Sequence, residues 1–174
     1  MGTNIAQEAY LRHPDLFDRV VLYAGDPGGK EAVSPTQDVI NILNDPSGTP
    51  EERGMRYLGV MMPKTWMAQN PEFYRQLQPA TEAVDPSVAA LQSKAIVGWG
   101  GSMSRLGQVK APVMLLTGAQ DIITPPQNSL LMTPVIPSCW LVQFPDAGHG
   151  LLYQYPEPTA AVVISFLKNS VVVQ

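Results

Sequence analysis

The chain has 174 residues, 45% of them hydrophobic and 15% charged, with a formal net charge of −4. This length suits one medium-sized domain with ample material for a core. A negative net charge without any basic block argues against a nucleic-acid partner. No stretch reaches the roughly 18 uninterrupted apolar residues of a transmembrane segment. The single cysteine, Cys139, excludes a disulfide within the chain.

The first 29 residues predict one helix and one strand. The helix covers residues 2–13 and ends before Pro14, which cannot continue it. Residues 20–24 form an apolar run rich in β-branched side chains and bounded by glycines, which indicates a buried strand. The helix is expected to bury an apolar stripe made of Ile5, Ala6, Ala9 and Tyr10.

Residues 30–110 predict short helices separated by prolines. The clearest of these helices covers residues 87–99, with Val88, Leu91, Ala95 and Ile96 on one side. Large apolar side chains are scattered through the region, and two interpretations of them stay open: they line a pocket for an apolar group, or they form a small helical core. These side chains are Met55, Met61, Met62, Trp66, Met67, Tyr74 and Trp99.

The last third returns to alternating strands and helices. Strands are predicted at 112–117 and 140–144, with a helix between them that starts from Thr124 as N-cap and runs toward Met132. A final helix is predicted at 158–168, with an apolar stripe of Ala160, Val163, Ile164 and Leu167. The tail 171–173 reads either as an edge strand or as a frayed end.

Apolar strands alternating with helices indicate an α/β fold with a parallel sheet. Three strands carrying an insertion of about 80 helical residues make a poor complete domain, so we expect the second half of a larger fold. The organisation predicted is a helix and first strand at 1–29, a helical insertion at 30–110, and the rest of the core at 111–174.

Three ionisable side chains follow the three predicted strands. Asp26, Asp121 and His149 should therefore meet at one edge of the sheet, where ligands gather in open α/β folds. A histidine oriented by a carboxylate is the acid–base part of a nucleophilic triad.

The segments that carry these residues resemble the α/β-hydrolase family. Residues 111–121 look like its acid loop, residues 144–150 like its histidine loop, and residues 12–22 like the passage from the nucleophile helix into the next strand. The resemblance implies that Asp121 is the triad acid and His149 the base. It also implies the C-terminal half of that fold with a helical cap insertion, a small apolar ester-like substrate, and neither cofactor nor metal.

The family's nucleophile lies in a Gly-x-Ser-x-Gly turn between a strand and a helix. Met1 and Gly2 resemble the last two positions of that turn, which would put the serine just before Met1. Met1 is then a candidate for the oxyanion hole, and the chain alone is expected to be inactive. Two alternatives stay open: a non-enzymatic half-fold that associates through an open sheet edge, and a piece of an epoxide hydrolase or dehalogenase-like relative.

Other residues compete for these roles. Asp26 is a rival acid, although a turn residue is the more ordinary interpretation. Ser102 lies in a sequence that nearly matches the nucleophile turn, but Ser104 replaces its closing glycine and a predicted helix precedes it. His13, at a helix end, is interpreted as structural, and Cys139 as a small buried hydrophobe.

Overall fold

The structure is a computed structural model that describes residues 1–76 and 85–168. The tail prediction at 171–173 lies outside the described residues. The helices and strands in chain order are α1 (Gly2–Arg12), β1 (Val20–Tyr23), α2 (Gln37–Asn44), α3 (Pro50–Met61), α4 (Lys64–Gln69), α5 (Phe73–Gln76), α6 (Pro86–Val97), β2 (Val113–Gly118), α7 (Gln127–Met132), β3 (Cys139–Phe144), α8 (Leu151–Gln154) and α9 (Pro156–Lys168). Three 3-10 turns lie at Pro14–Leu16, Gly29–Glu31 and Met103–Gln108.

The three strands form a parallel sheet in the order β1-β2-β3. Leu115 of β2 lies between Leu22 of β1 and Leu141 of β3. All six residues of β2 are buried, because this strand is paired on both sides and covered on both faces. The predicted α/β class with three parallel strands is confirmed, and helices occupy the described part of the segment between β1 and β2.

One edge of the sheet is formed by β1. The backbone N–H groups of Val20 and Ala24 donate to Pro112 and Leu116 on the β2 side. Because successive N–H groups of a strand alternate in direction, those of Val21 and Tyr23 face the opposite side. No strand among the described residues pairs there.

The main core lies between one face of the sheet and helices α1 and α7. It joins Tyr10, Leu22, Leu115, Met132 and Leu106 with neighbouring apolar side chains. The Tyr10 hydroxyl also accepts hydrogen bonds of 2.7 Å from the backbone N–H groups of residues 110 and 111. Helix α1 is thereby tied to the entry of β2.

The predicted stripe of α1 is correct at Tyr10 and wrong at Ile5, whose surface is 60% exposed. Two polar residues, Asn4 and Gln7, are buried instead. They can be buried because both side chains hydrogen-bond to Asp26. The Gln7 amide donates to the backbone carbonyl of Asp26 at 2.9 Å, and the Asn4 amide donates to the Asp26 carboxylate at 3.3 Å.

The predicted stripe of α9 is also wrong in part. Thr159 and Phe166 are the buried residues of this helix, while Ile164 and Leu167 are about half exposed. Phe166 packs edge-on against Trp140 of β3, with ring centroids 5.4 Å apart. The contact with Trp140 therefore sets the buried side of α9, whereas the pattern of apolar residues alone predicted a different buried side.

The predicted N-cap at Thr124 is wrong, because α7 begins at Gln127, after the two prolines. The Thr124 N–H bonds to Asp121 instead, so this residue belongs to the loop after β2.

Helix α6 has the predicted apolar side, but that side is exposed, with Leu91 67% and Val88 45% accessible. The two interpretations of the large apolar residues of the insertion both find support. Trp66 packs edge-on against Phe73 at 4.9 Å between centroids, whereas Trp99 lines a cleft.

Candidate functional site

Asp121 follows β2 in a tight turn that fixes its carboxylate. Its side chain is fully buried. Oxygen Oδ1 accepts hydrogen bonds from the backbone N–H groups of Ile123 at 2.9 Å and Thr124 at 2.8 Å. The second oxygen, Oδ2, is left for another partner. Asp121 therefore organises its own turn and presents one free carboxylate oxygen.

That partner is His149, in the loop after β3. Its Nδ1 lies 2.9 Å from Asp121 Oδ2, and its side chain is 23% exposed. Because a carboxylate only accepts hydrogen bonds, the neutral imidazole carries its proton on Nδ1 and leaves Nε2 as an acceptor. The structure thus brings together the two residues that the sequence predicted as acid and base; their catalytic roles remain predictions.

The two loops lie backbone against backbone at Gly118. A Cβ at this position would overlap the carbonyl oxygens of Ala147 and Gly148. The Gln120 N–H donates to the Ala147 carbonyl at 2.8 Å, and the Ala119 N–H donates to the last residue of β3 at 2.9 Å. A glycine here is therefore required for the Asp121–His149 distance.

The histidine loop rests on the end of α3. The Gly150 N–H donates to the Met61 carbonyl at 2.9 Å, and a Cβ at Gly148 would come within 2.5 Å of the same oxygen. On its other side, the Gly148 N–H donates to the Gln154 side chain at 2.8 Å. Sequence reasoning missed Met61 and Gln154; the glycines flanking His149 were the available signal of close packing.

Tyr23, at the end of β1, was also missed. Its hydroxyl donates to the backbone carbonyl of His149. The centroids of the Tyr23 ring and the His149 imidazole are 6.2 Å apart. Burial raises the Tyr23 pKa to about 12, and the negative charge of Asp121 adds to the rise. Tyr23 therefore remains a neutral hydrogen-bond donor at neutral pH.

His149 lines an open cleft of about 500 Å³, the His149 cleft. Residues from α1, β1 and the acid loop line the same space: Met1, Gly2, Thr3, Ala6, Val21, Tyr23, Ala24, Asp26, Ile123 and Thr124. The structure thus places Met1, the oxyanion-hole candidate, on the cleft that His149 lines. Its role there remains a prediction.

Asp26 also lines this cleft, but it makes no hydrogen bond to His149. Its Oδ1 accepts from the Gly28 N–H at 2.8 Å and from Asn4, which is the behaviour of a turn residue. Among the described carboxylates, Asp121 is the one that contacts the imidazole.

Ser102 lies away from the cleft and is fully buried. Its hydroxyl donates to Gln7 Oε1 at 2.5 Å, and its N–H donates to the Pro27 carbonyl at 2.7 Å. Ser102 therefore joins the loop before β2 to α1, which favours a structural role. His13 is the exposed C-cap of α1. Cys139, at the start of β3, is half-buried, and burial raises its pKa.

Neither a metal cluster nor a membrane span is found in the described ranges. No group of three or more His, Cys, Asp or Glu side chains there is arranged to hold a metal ion. None of the helices described is both long and apolar enough to cross a membrane.

The parallel sheet, with an aspartate loop after its second strand and a histidine loop after its third, is part of the α/β-hydrolase fold. An enol-lactonase from Burkholderia xenovorans LB400 superposes with a TM-score of 0.77 and 18% identity, over 97% of this chain and 63% of that one. A hydrolase from Pseudomonas aeruginosa PA01 gives a TM-score of 0.75 at 20% identity, over 96% of this chain and 62% of its own. The chain therefore has part of the α/β-hydrolase fold.

Sequence similarity extends over a shorter segment. The pimeloyl-[acyl-carrier protein] methyl ester esterase of Nitrosomonas europaea is 36% identical over 73 residues, which are 41% of this chain and 29% of the esterase. No protein-family model matches the chain. The chain thus covers less than two thirds of the solved chains and less than a third of this esterase.

Proposed function

We propose that Asp121 and His149 are the acid and base of a serine hydrolase that acts on a small apolar ester or a similar acyl bond. The observation that carries this proposal is the 2.9 Å contact between His149 Nδ1 and a fully buried carboxylate. Two similar proteins named above, an esterase and an enol-lactonase, bear names that fit ester-like substrates.

In this chemistry His149 takes the proton of an attacking hydroxyl and later returns it to the leaving group. Asp121 keeps the imidazole proton on Nδ1 and stabilises the imidazolium that forms. The nucleophile is proposed to be a serine in the position preceding Met1, with the Met1 backbone N–H as an oxyanion donor.

The chain as a separate polypeptide is expected not to hydrolyse esters. The hydroxyl groups that line the His149 cleft belong to Thr3, Tyr23 and Thr124, and no described hydroxyl or thiol hydrogen-bonds to the imidazole. Without a nucleophile activated by His149, the covalent route is missing.

A chromogenic short-chain ester tests this expectation, with the His149→Ala and Ser102→Ala variants as controls. We expect no turnover above that of the His149→Ala variant. Turnover that His149→Ala abolishes would contradict the expected inactivity while supporting the base. Turnover that Ser102→Ala abolishes would instead support the rejected serine.

The orienting role of Asp121 is tested apart from turnover, by the ¹⁵N chemical shifts of the His149 ring. Asp121→Asn keeps an oxygen for the turn but offers an N–H to Nδ1. We expect the imidazole proton to move from Nδ1 to Nε2 in that variant. An unchanged tautomer would argue against the proposed pair.

A second candidate function is a half-fold that associates through the open edge of β1. The N–H groups of Val21 and Tyr23, which no strand among the described residues pairs, favour this candidate, since exposed strand edges pair with other chains. The aspartate-nucleophile alternative has no comparable support among the described residues.

A further inference from the structure

A second cleft adjoins the His149 cleft. It has a volume of about 330 Å³, and Asp26, Ile123 and Thr124 line both spaces. Its other walls come from residues 28–29 and 32–35, from the end of α6, from Trp99 and from Asn128 of α7, with Val33, Ile96 and Val97 as apolar lining. We call this space the Trp99 cleft. A ligand whose reacting group lies beside His149 can extend past Asp26 into it.

The walls of the Trp99 cleft are held by specific contacts. Asn128, fully buried in α7, donates to the Val33 carbonyl at 2.9 Å and accepts from the Val33 N–H at 2.7 Å. The Trp99 indole N–H donates to Glu8 at 2.8 Å, and its ring covers Gly28 so closely that a Cβ there would overlap it. The cleft, with its apolar wall of Val33, Ile96 and Val97, is therefore preformed, as small-molecule sites usually are.

Among the residues that the structure describes, Asp26 is the one ionisable side chain that lines the Trp99 cleft. The described hydrogen bonds to its carboxylate go to Oδ1, from Gly28 and Asn4, so Oδ2 has no described partner. No lysine or arginine lines either cleft within the described parts of the chain, and the His149 imidazole belongs to the His149 cleft. A carboxylate on a ligand in the Trp99 cleft would meet an unbalanced negative charge.

We propose that the Trp99 cleft binds the apolar end of the ester substrate and that Asp26 excludes substrates carrying a carboxylate at that end. The substrate class is then a small ester with a neutral or cationic far end. This inference rests on the proposed function, because it assigns part of the ligand for the same site.

Three matched probes test the charge preference: methyl hexanoate, its ω-carboxylate monomethyl adipate, and its ω-amine methyl 6-aminohexanoate. Binding is followed by the indole N–H signal of Trp99 in ¹H–¹⁵N spectra, assigned with a Trp99→Phe variant. We expect the carboxylate probe to bind about fivefold more weakly than the neutral probe. The amine probe should bind at least as tightly as the neutral one.

Asp26→Asn keeps the oxygen that accepts from Gly28 and removes the charge, so it should bring the ratio of neutral to anionic binding close to one. Glu31→Gln, a control that removes an exposed carboxylate outside the cleft lining, should leave the ratio unchanged. If Asp26→Asn does not fold, salt gives a second measurement: about 0.5 M salt should shrink the wild-type ratio, since it screens the repulsion.

Equal or tighter binding of the carboxylate probe would overturn the inference, as would a ratio that neither Asp26→Asn nor salt changes. Absence of any shift at Trp99 with all three probes would overturn the site itself. These readouts need no hydrolysis. If the three probes do not bind in the expected order while His149 carries its proton on Nδ1, this inference alone is rejected. If the imidazole proton of the wild-type protein lies on Nε2 instead, the proposed function is rejected.

Discussion

Single glycines decide where His149 lies relative to Asp121. Gly118 lets the histidine loop cross the acid loop, and Gly148 and Gly150 let that loop rest on the end of α3. None of the three needs an unusual backbone angle. The requirement is space, because carbonyl oxygens or side-chain atoms occupy the positions that a Cβ would take.

Gly118→Ala should therefore separate the two loops. We expect a loss of about 1 to 3 kcal/mol in the free energy of unfolding, from overpacking of a buried contact. The His149 Nδ1 proton should also lose its hydrogen-bonded NMR signal. Gly59→Ala is the matched control: a Cβ there meets nothing within 4 Å, so stability should stay level or rise. An intact Nδ1 signal in Gly118→Ala would contradict the proposed role of this glycine.

Glu8 is a second residue on which the stability of the fold depends, because it joins α1 to the loop after α6. Its carboxylate accepts hydrogen bonds from Arg105, Trp99 and Arg12. These partners, Arg105 first, lower the Glu8 pKa from 4.5 to about 2.

The lowered pKa predicts a pH-dependent stability. The stabilisation from Glu8 is fully present above pH 4.5 and is lost as the pH falls from 4.5 toward 2, where the folded-state carboxyl is protonated as well. We expect a loss of about 1 to 2 kcal/mol over this range, measured by urea unfolding at a series of pH values. Glu8→Gln should be less stable at neutral pH and flatten the curve; a variant curve as steep as that of the wild type would contradict this.

At the scale of elements, helices and strands form where the local pattern indicates, but their buried sides follow their neighbours. Helix α1 buries Asn4 and Gln7 because Asp26 supplies partners for both amides. Helix α9 buries Phe166 because Trp140 lies opposite. Helix α6 buries almost none of its apolar side. Periodicity identifies a helix with an apolar side; what that side meets lies elsewhere in the chain.

The open edge of β1 predicts self-association that grows with concentration, measured by sedimentation or size-exclusion chromatography. Val21→Pro removes an N–H that faces the open edge and should weaken the association, since proline is tolerated at strand edges. Leu91→Lys, on the exposed side of α6, should have little effect. If Leu91→Lys weakens the association and Val21→Pro does not, the association occurs through α6. A protein that is monomeric at every concentration would reject association through either surface.

At the scale of the whole molecule, the histidine loop after β3 is held from three directions. It contacts the acid loop after β2, Tyr23 of β1 and the end of α3. The helical insertion between β1 and β2 is therefore linked to the candidate base through the Met61 carbonyl.

This arrangement predicts a gradient of local stability. Amide hydrogen exchange should be slowest in β2, where every residue is buried and both edges are paired, and fastest in α6, whose residues are mostly exposed. The amide of Gly150 should exchange at an intermediate rate, since it donates to Met61 in a contact between loop and helix. Protection in α6 equal to that of β2 would contradict the gradient.

The sequence by itself determined the α/β class, the three strands and the order of Asp121 and His149. Those features depend on short-range patterns: apolar runs, turn residues and the rule that parallel strands end at one edge. The tertiary structure alone decided the buried sides of α1 and α9, the Tyr23–His149 contact, and the hydrogen bonds that hold Val33 and Trp99. The contacts of Tyr23, Val33 and Trp99 join residues 91 to 126 positions apart, and no local pattern encodes which distant polar group will meet a given side chain.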